Sequence, residues 1–247
     1  MNILLTNDDG FFSAGIRELA KQLIFEGHNI TVVAPDVENS GKSHSITLMK
    51  ELKFNKVEID GLNCNSYSVS GTPADCVRTA LEVLGNDFDY CFSGCNLGYN
   101  AGMDIMYSGT VSAAIEANVF GINAIAISAE YDKISADFKS AAKVAVEVFN
   151  KLSLGLKTSH VLNINVPKLS YENLNGIKIC KVGCSVMDKY TTSKTDDGYI
   201  LKLHGRNKCI NVEGTDRYYL ERGFATVTPL IHNLTNENLV NLLGERL

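Results

Sequence analysis

Apolar and polar residues follow two different rhythms along this chain. In the first, Ile3 to Thr6 is a short apolar run that reads as a buried strand. Ile16, Leu19, Ala20, Leu23 and Ile24 then recur at helical spacing. Ile30 to Ala34 is rich in β-branched residues and runs into Pro35, a second strand. Tyr90–Ser93, Ala124–Ser128 and Val161–Val166 are three more strand-length runs. Thr72-Pro73 opens a helix, with threonine at the cap and proline at the first helical position, and Val77, Ala80, Leu81 and Leu84 form its apolar face. Two further helices span about Thr110 to Asn118 and about Asp137 to Leu152. Short apolar strands alternating with helices predict an α/β fold, a mostly parallel sheet with helices on both faces and right-handed crossovers.

The rhythm changes after about residue 170. From Ile177 to Thr228 short strands and turns such as Asp197-Gly198 predict an extension of antiparallel β-hairpins. A hairpin arm of that kind suits exchange between subunits. A last amphipathic helix runs from Asn236 to Leu247, with Leu239, Leu242 and Leu243 on one side. No internal repeat or low-complexity linker interrupts the 247 residues, so the expectation is one domain, a core over 1–170 with the arm and terminal helix over 171–247.

Composition narrows the partners. A formal net charge of -5 argues against a stable nucleic-acid complex. It leaves room for a small anionic ligand, because local amides and a metal ion outweigh net charge. Seven cysteines without a CxxC pair or a histidine cluster read as free buried thiols rather than a zinc site. Without a signal-like start, and without an apolar run near the ~20 residues of a membrane span, the expected location is the cytoplasm.

Candidate chemistry sits in loops after predicted strands, where open α/β sheets bind ligands. Thr6-Asn7-Asp8-Asp9-Gly10 places two adjacent carboxylates at the end of the first strand. Such like charges repel, and a hard divalent cation relieves that cost. After the second strand, Asn39-Ser40-Gly41-Lys42-Ser43-His44-Ser45 offers hydroxyls and amides to metal or phosphate oxygens. It is not a P-loop, since Asp36 stands where the first glycine is needed. Of the five histidines, only His44 lies in a candidate loop. In Ser93-Gly94-Cys95-Asn96-Leu97-Gly98, Asn96 can donate a neutral oxygen to a cation. Tyr107-Ser108-Gly109-Thr110 leads into a helix whose free N–H groups suit phosphate. Ser70-Gly71-Thr72-Pro73-Ala74-Asp75-Cys76 is another glycine-led helix start, which suits an anion or a substrate pocket and equally a plain cap completed by Asp75.

Taken in order, Ile3-Leu4-Leu5-Thr6-Asn7-Asp8-Asp9-Gly10, Ala34-Pro35-Asp36 with Ser40-Gly41, Gly71-Thr72-Pro73-Ala74-Asp75-Cys76, Ser93-Gly94 with Asn96, Gly98 and Asn100, and Tyr107-Ser108-Gly109-Thr110 resemble the SurE family of 5′/3′-nucleotidases. Thr215-Asp216, Gly223 and Thr228-Pro229-Leu230 extend the likeness. The resemblance implies a Rossmann-like core, a β-hairpin arm, a swapped C-terminal segment and assembly as a homodimer or homotetramer. It implies dephosphorylation of nucleoside monophosphates with one divalent ion per subunit, Mg²⁺ or Mn²⁺. The implied metal ligands are Asp8, Asp9, Ser40 and Asn96, with Asp8 and Asp9 also catalytic. Phosphate or substrate binding falls on Asn7, Gly41, Ser43, Ser108, Gly109 and Thr110. The sequence departs from the family pattern at Val37, where arginine is usual, and at Ala14 and Cys95. The expected attack is by water that the ion acidifies. A direct carboxylate nucleophile is the alternative, and it is disfavoured because Asp8 and Asp9 are adjacent rather than separated by one residue.

Overall fold

A computed structural model of the chain describes residues 1–156, 159–184, 188–206 and 210–246. Its centre is a nine-stranded sheet. The strands, in chain order, are β1 (Asn2–Thr6), β2 (Asn29–Pro35), β3 (Phe54–Lys56), β4 (Asn65–Val69), β5 (Tyr90–Leu97), β6 (Asn123–Ala129), β7 (Val161–Val166), β8 (Ile177–Ile179) and β11 (Ala225–Leu230). Their spatial order is β3-β4-β2-β1-β5-β6-β7-β11-β8. From β4 to β7 every pairing is parallel; β3 and β11 run antiparallel to β4 and β7, and β8 returns parallel to β11.

The helices are α1 (Ala14–Phe25), α2 (Pro73–Leu84), α3 (Gly109–Val119), α4 (Phe138–Val148), α5 (Asp216–Leu220) and α6 (Glu237–Gly244). On one face of the sheet, Ile16, Leu19 and Leu23 of α1 join Val144 and Val148 of α4 over Ile3, Leu5 and Phe92. On the other, Cys76, Val77 and Ala80 of α2 and Val111 and Ala114 of α3 pack over Leu4, Cys91 and Ala124. Adjacent residues of β1 therefore feed opposite layers, as the pleat requires. Each fully buried leucine or isoleucine there contributes ~1.5–3 kcal/mol.

Local sequence explains the helix starts. Thr72 caps α2 through a full capping box with Asp75, and Pro73 fills the first helical position. Ser13, Ser108 and Asp137 cap α1, α3 and α4. The fourth helix stops at Val148, and a π-helical turn, Phe149–Ser153, continues it.

The second half differs from a simple run of hairpins. Strands β9 (Asp188–Thr195) and β10 (Gly198–Arg206) form a separate antiparallel ribbon. The short strand β8 and β11 instead rejoin the main sheet, with helix α5 before β11. Strands β3 and β4 add an edge that periodicity did not reveal. The cysteine expectation also needs correction. Cys64, Cys76, Cys91, Cys95 and Cys180 are free, but Cys184 is disulfide-bonded. Among the described residues, no helix is long and apolar enough to cross a membrane.

Candidate active site

The crossover after β1 leads outward to β2 on one side, while β5 lies on the other side of β1. The crevice between β1 and β5 is thus the topological switch point, where doubly wound sheets hold their ligands. Asp8 and Asp9 follow β1 directly, and Asn96 lies at the end of β5.

Asn7 builds the turn that presents the two carboxylates. Its Nδ2 donates to Gly10 O at 2.9 Å and to Ser13 Oγ at 2.8 Å, tying the turn to the cap of α1. Its Oδ1 is buried and has no partner among the described residues. Asp8 is 4 % exposed, and Thr110 Oγ1 donates to its Oδ1. A Cβ on Gly109 would lie 3.0 Å from Asp8 Cβ and 3.1 Å from Pro73 Cγ, so glycine lets the start of α3 close over the carboxylate. Asp9 Oδ2 accepts the Leu97 amide at 3.1 Å, which fixes Asp9 beside Asn96.

Strand β5 delivers Asn96 through an irregularity. The register with β6 shifts between Ser93 and Asn96, and Gly94 takes φ +137° in a place where a Cβ would meet Ile127 O at 2.3 Å. Asn96 Nδ2 donates to Gly98 O at 2.8 Å, which leaves its amide oxygen as the end able to face a cation. A buried asparagine network holds the loop beyond. The Asn100 amide donates to Asn165 Oδ1 at 2.8 Å, and Asn163 and Asn165 donate to Asn100 O at 2.8 and 3.0 Å. Asp216, fully buried, then accepts the Gly102 amide at 2.7 Å.

Burial dominates the electrostatics. It pushes the Asp8 carboxyl up against the pull of Thr110. Burial, and then the neighbouring Asp8 charge, push Asp9 from 3.8 to about 7. Glu38 adds a smaller push to both. Among the described residues neither carboxylate has a cationic partner.

Ser108 spends its hydroxyl capping α3, accepting the Val111 amide at 3.0 Å. Ser43 anchors its loop to the approach of α3, with its amide to Tyr107 O at 3.1 Å and its Oγ to Met106 O at 2.7 Å. Ser40 is exposed, and its hydroxyl turns to Glu38 Oε1 at 2.7 Å. Gly41 is exposed with φ +70°, and a Cβ there would meet open space. The structure therefore draws Asp8, Asp9, Asn96, Gly109 and Thr110 into one cluster, with the Ser40 loop beside it. The sequence did not point to Glu38, nor to two contacts made by residues of the loops it singled out. Glu38 adds charge, the Leu97 amide orients Asp9, and the Asn39 amide reaches Asp8 O at 2.7 Å. Backbone amides leave no mark in composition, and Glu38 gains meaning only from its spatial neighbours.

Comparisons with known proteins follow the same lines. A family model described as survival protein SurE matches residues 3–189. A protein named 5′-nucleotidase SurE from Clostridium botulinum (strain 657 / Type Ba4) is 44% identical over 245 residues, covering 97% of this chain and 96% of its own. The protein of that name from Clostridium beijerinckii is 42% identical, covering 96% and 95%. The crystal structure of the SurE protein from Aquifex aeolicus superposes with a TM-score of 0.84 at 36% identity, covering 100% of this chain and 99% of that one.

Proposed function

The chain belongs to the SurE family, and from that premise we propose that it is a metal-dependent phosphomonoesterase. It hydrolyses nucleoside 5′-monophosphates to nucleoside and phosphate and accepts 3′-monophosphates in the same cradle. The relatives' name, 5′-nucleotidase, supports the substrate class. The observation that carries the chemistry is the adjacent pair at the switch point, Asp8 buried and Asp9 half-buried, both with raised pKa and no cationic partner among the described residues.

That pair fits a hard cation. Two carboxylates and an amide oxygen form an all-oxygen donor set of the kind Mg²⁺ and Mn²⁺ favour. Asp8, Asp9 and Asn96 would hold one ion per subunit, with Ser40 as a fourth ligand once its hydroxyl leaves Glu38. When bound, the ion supplies charge neutralisation and Lewis acidity toward phosphate and water. The protein's own groups do the rest. The Gly109 and Thr110 amides at the start of α3 receive negative charge on the phosphoryl group. The Thr110 hydroxyl keeps Asp8 oriented. Asp9 is held in place at the same site by the Leu97 amide.

The active form is a homo-oligomer, with the terminal segment exchanged between copies. Helix α6 has no buried residue, and Leu239, Val240, Leu242 and Leu243 remain 46–53% exposed. Ile231 and Leu234 leading into it are 81% and 90% exposed. Apolar surface of that extent in sequence calls for a covering partner. The cytoplasm suits the five free thiols, with Cys184 the described exception.

The test is phosphate release from a panel of nucleoside monophosphates with Mn²⁺, Mg²⁺ or chelator. Metal-dependent release that chelator abolishes supports the proposal. Folded, metal-loaded protein that binds nucleotide and releases no phosphate would replace it with a nucleotide sensor.

A further inference from the structure

The segment from Asn39 to Thr47 lies largely on the surface, yet hydrogen bonds tie it down along its length. The Asn39 amide reaches Asp8 O, and Ser43 reaches Tyr107 O and Met106 O. Ser45 O accepts Thr72 Oγ1 at 2.6 Å, and the Thr47 hydroxyl donates to Asp75 Oδ2 at 2.7 Å. One side chain of the segment reaches a buried charge. His44 Nε2 lies 2.6 Å from Oε2 of Glu116, a residue 5% exposed within α3. Arg78 of α2 donates Nη1 to the other oxygen of Glu116 at 3.0 Å.

We infer that His44 is a positioning residue, whose bond to Glu116 locks the 39–47 loop onto α3 and so holds Asn39 and Ser40 against the Asp8–Asp9 turn. The inference rests on the nucleotidase reading for its consequence in catalysis, though not for the contact itself. The anchor of His44 and a contact of Asp8 sit on one helix. Glu116 anchors the loop from the same helix whose first turn contacts Asp8 through Thr110. A shift of the loop relative to α3 is therefore a shift of Ser40 relative to Asp8.

The chemistry of the bond fixes its direction. Hydrogen bonding from His44, then the charges of His44 and Arg78, hold the Glu116 carboxyl below its usual range. An ionised carboxylate only accepts, so Nε2 is the donor. An imidazole with its proton on Nε2 donates whether neutral or doubly protonated, so the contact does not depend on imidazole charge. Glutamine can bring an amide N–H to the same place, whereas alanine cannot.

The experiment compares wild type, His44→Ala and His44→Gln by amide hydrogen exchange over residues 38–47 and by steady-state phosphate release at saturating Mn²⁺. For His44→Ala, exchange in the loop should quicken about tenfold while β1 and α3 exchange as before. Its kcat should fall about tenfold, the range seen when a group supporting metal ligands is lost, with KM little changed. His44→Gln should restore both. Wild-type exchange in His44→Ala, an unchanged kcat despite a loosened loop, or failure of His44→Gln to rescue would each overturn the positioning role. If wild type itself releases no phosphate, the nucleotidase reading fails, and the exchange data alone decide whether His44 holds the loop.

Discussion

Two loops meet at the crevice, and they are held in different ways. The Asn7–Gly10 turn is buried and built by its neighbours in sequence. β1 carries it, Asn7 ties it to Ser13, and α1 begins at once. The Asn39–Thr47 loop is exposed and held by partners far along the chain, Tyr107, Glu116 and Asp75 among them. The first therefore keeps its shape at a cost, because it holds two adjacent carboxylates partly out of water without a counter-charge among the described residues. The second bears no such electrostatic cost but depends on many separate contacts. Rigid, strained charge belongs with catalysis, and the tethered loop belongs with completing and adjusting the site.

The largest effect should come from breaking the first loop's charge. Asp9→Asn should lower phosphate release on the order of 10³-fold, the scale of several kcal/mol of lost charge stabilisation. The same substitution should stabilise the metal-free protein at pH 8. The sign follows from Asp9, whose folded pKa of about 7 stands above its ordinary 3.8. The folded state thus binds the proton more tightly, so stability is lost as pH rises from about 4 to about 7 and is flat above that. Metal-free wild type should melt lower at pH 8 than at pH 5, and Asp9→Asn should remove much of that difference. Mn²⁺ should raise the wild-type melting temperature more at pH 8 than at pH 5, since binding then displaces no proton from Asp9. Thermal melts at both pH values with and without metal check all of this, and a wild type equally stable at both would contradict the assigned burial.

Next comes the packing of α3 on Asp8. Gly109→Ala places a Cβ 3.0 Å from Asp8 Cβ and 3.1 Å from Pro73 Cγ. Overpacking of that kind costs ~1–3 kcal/mol. Activity should fall further than stability, because Asp8 must shift to make room. A variant with wild-type kcat would show that the close approach has no bearing on the reaction.

Much of this contrast was legible in the sequence, but unevenly. Ile3–Thr6 followed by Asp8-Asp9 announces a buried strand ending in charge, because both signals are local. The capping box of Thr72 and Asp75 was readable for the same reason. Strands β3 and β4 were not. Asn65-Ser66-Tyr67-Ser68-Val69 is mostly polar, and its pairing partners decide its state. The last four residues of β5 were hidden by Gly94, which reads as a loop but serves as an irregularity within the strand. The parallel pairing of Ile177–Ile179 with Ala225–Val227 spans a long separation that no periodicity encodes. Within the site, the second loop's anchors were invisible. His44 and Glu116 stand 72 residues apart, and only folding shows that they meet.

A smaller effect should follow from loosening one tether of the second loop. Ser43→Ala removes the hydroxyl bond to Met106 O while keeping the amide bond to Tyr107 O. The expected loss is ~0.5–1.5 kcal/mol of stability. Activity should drop a few-fold at most, because other contacts remain. Chemical denaturation with unchanged slope would confirm a local loss.

The smallest and most diagnostic effect lies where the two loops interact electrostatically. Glu38, on the loop side, pushes both Asp8 and Asp9 upward and accepts the Ser40 hydroxyl. Glu38→Gln removes a negative neighbour, so the Asp9 pKa should move down from about 7 toward its ordinary value, by less than the contributions of burial and of Asp8. In the metal-free protein the fall of melting temperature with pH should shift to lower pH by a fraction of a unit, while the rate of the metal-loaded enzyme is nearly kept. Metal affinity should fall slightly, since one nearby negative charge is gone. Higher salt should shrink the difference between the variants, because Glu38 is exposed and its field is screened. A metal-free melting profile that moves upward in pH, or a shift indifferent to salt, would mean that Glu38 acts through the Ser40 hydroxyl rather than through its charge. The tethered loop would then tune the rigid turn by geometry alone.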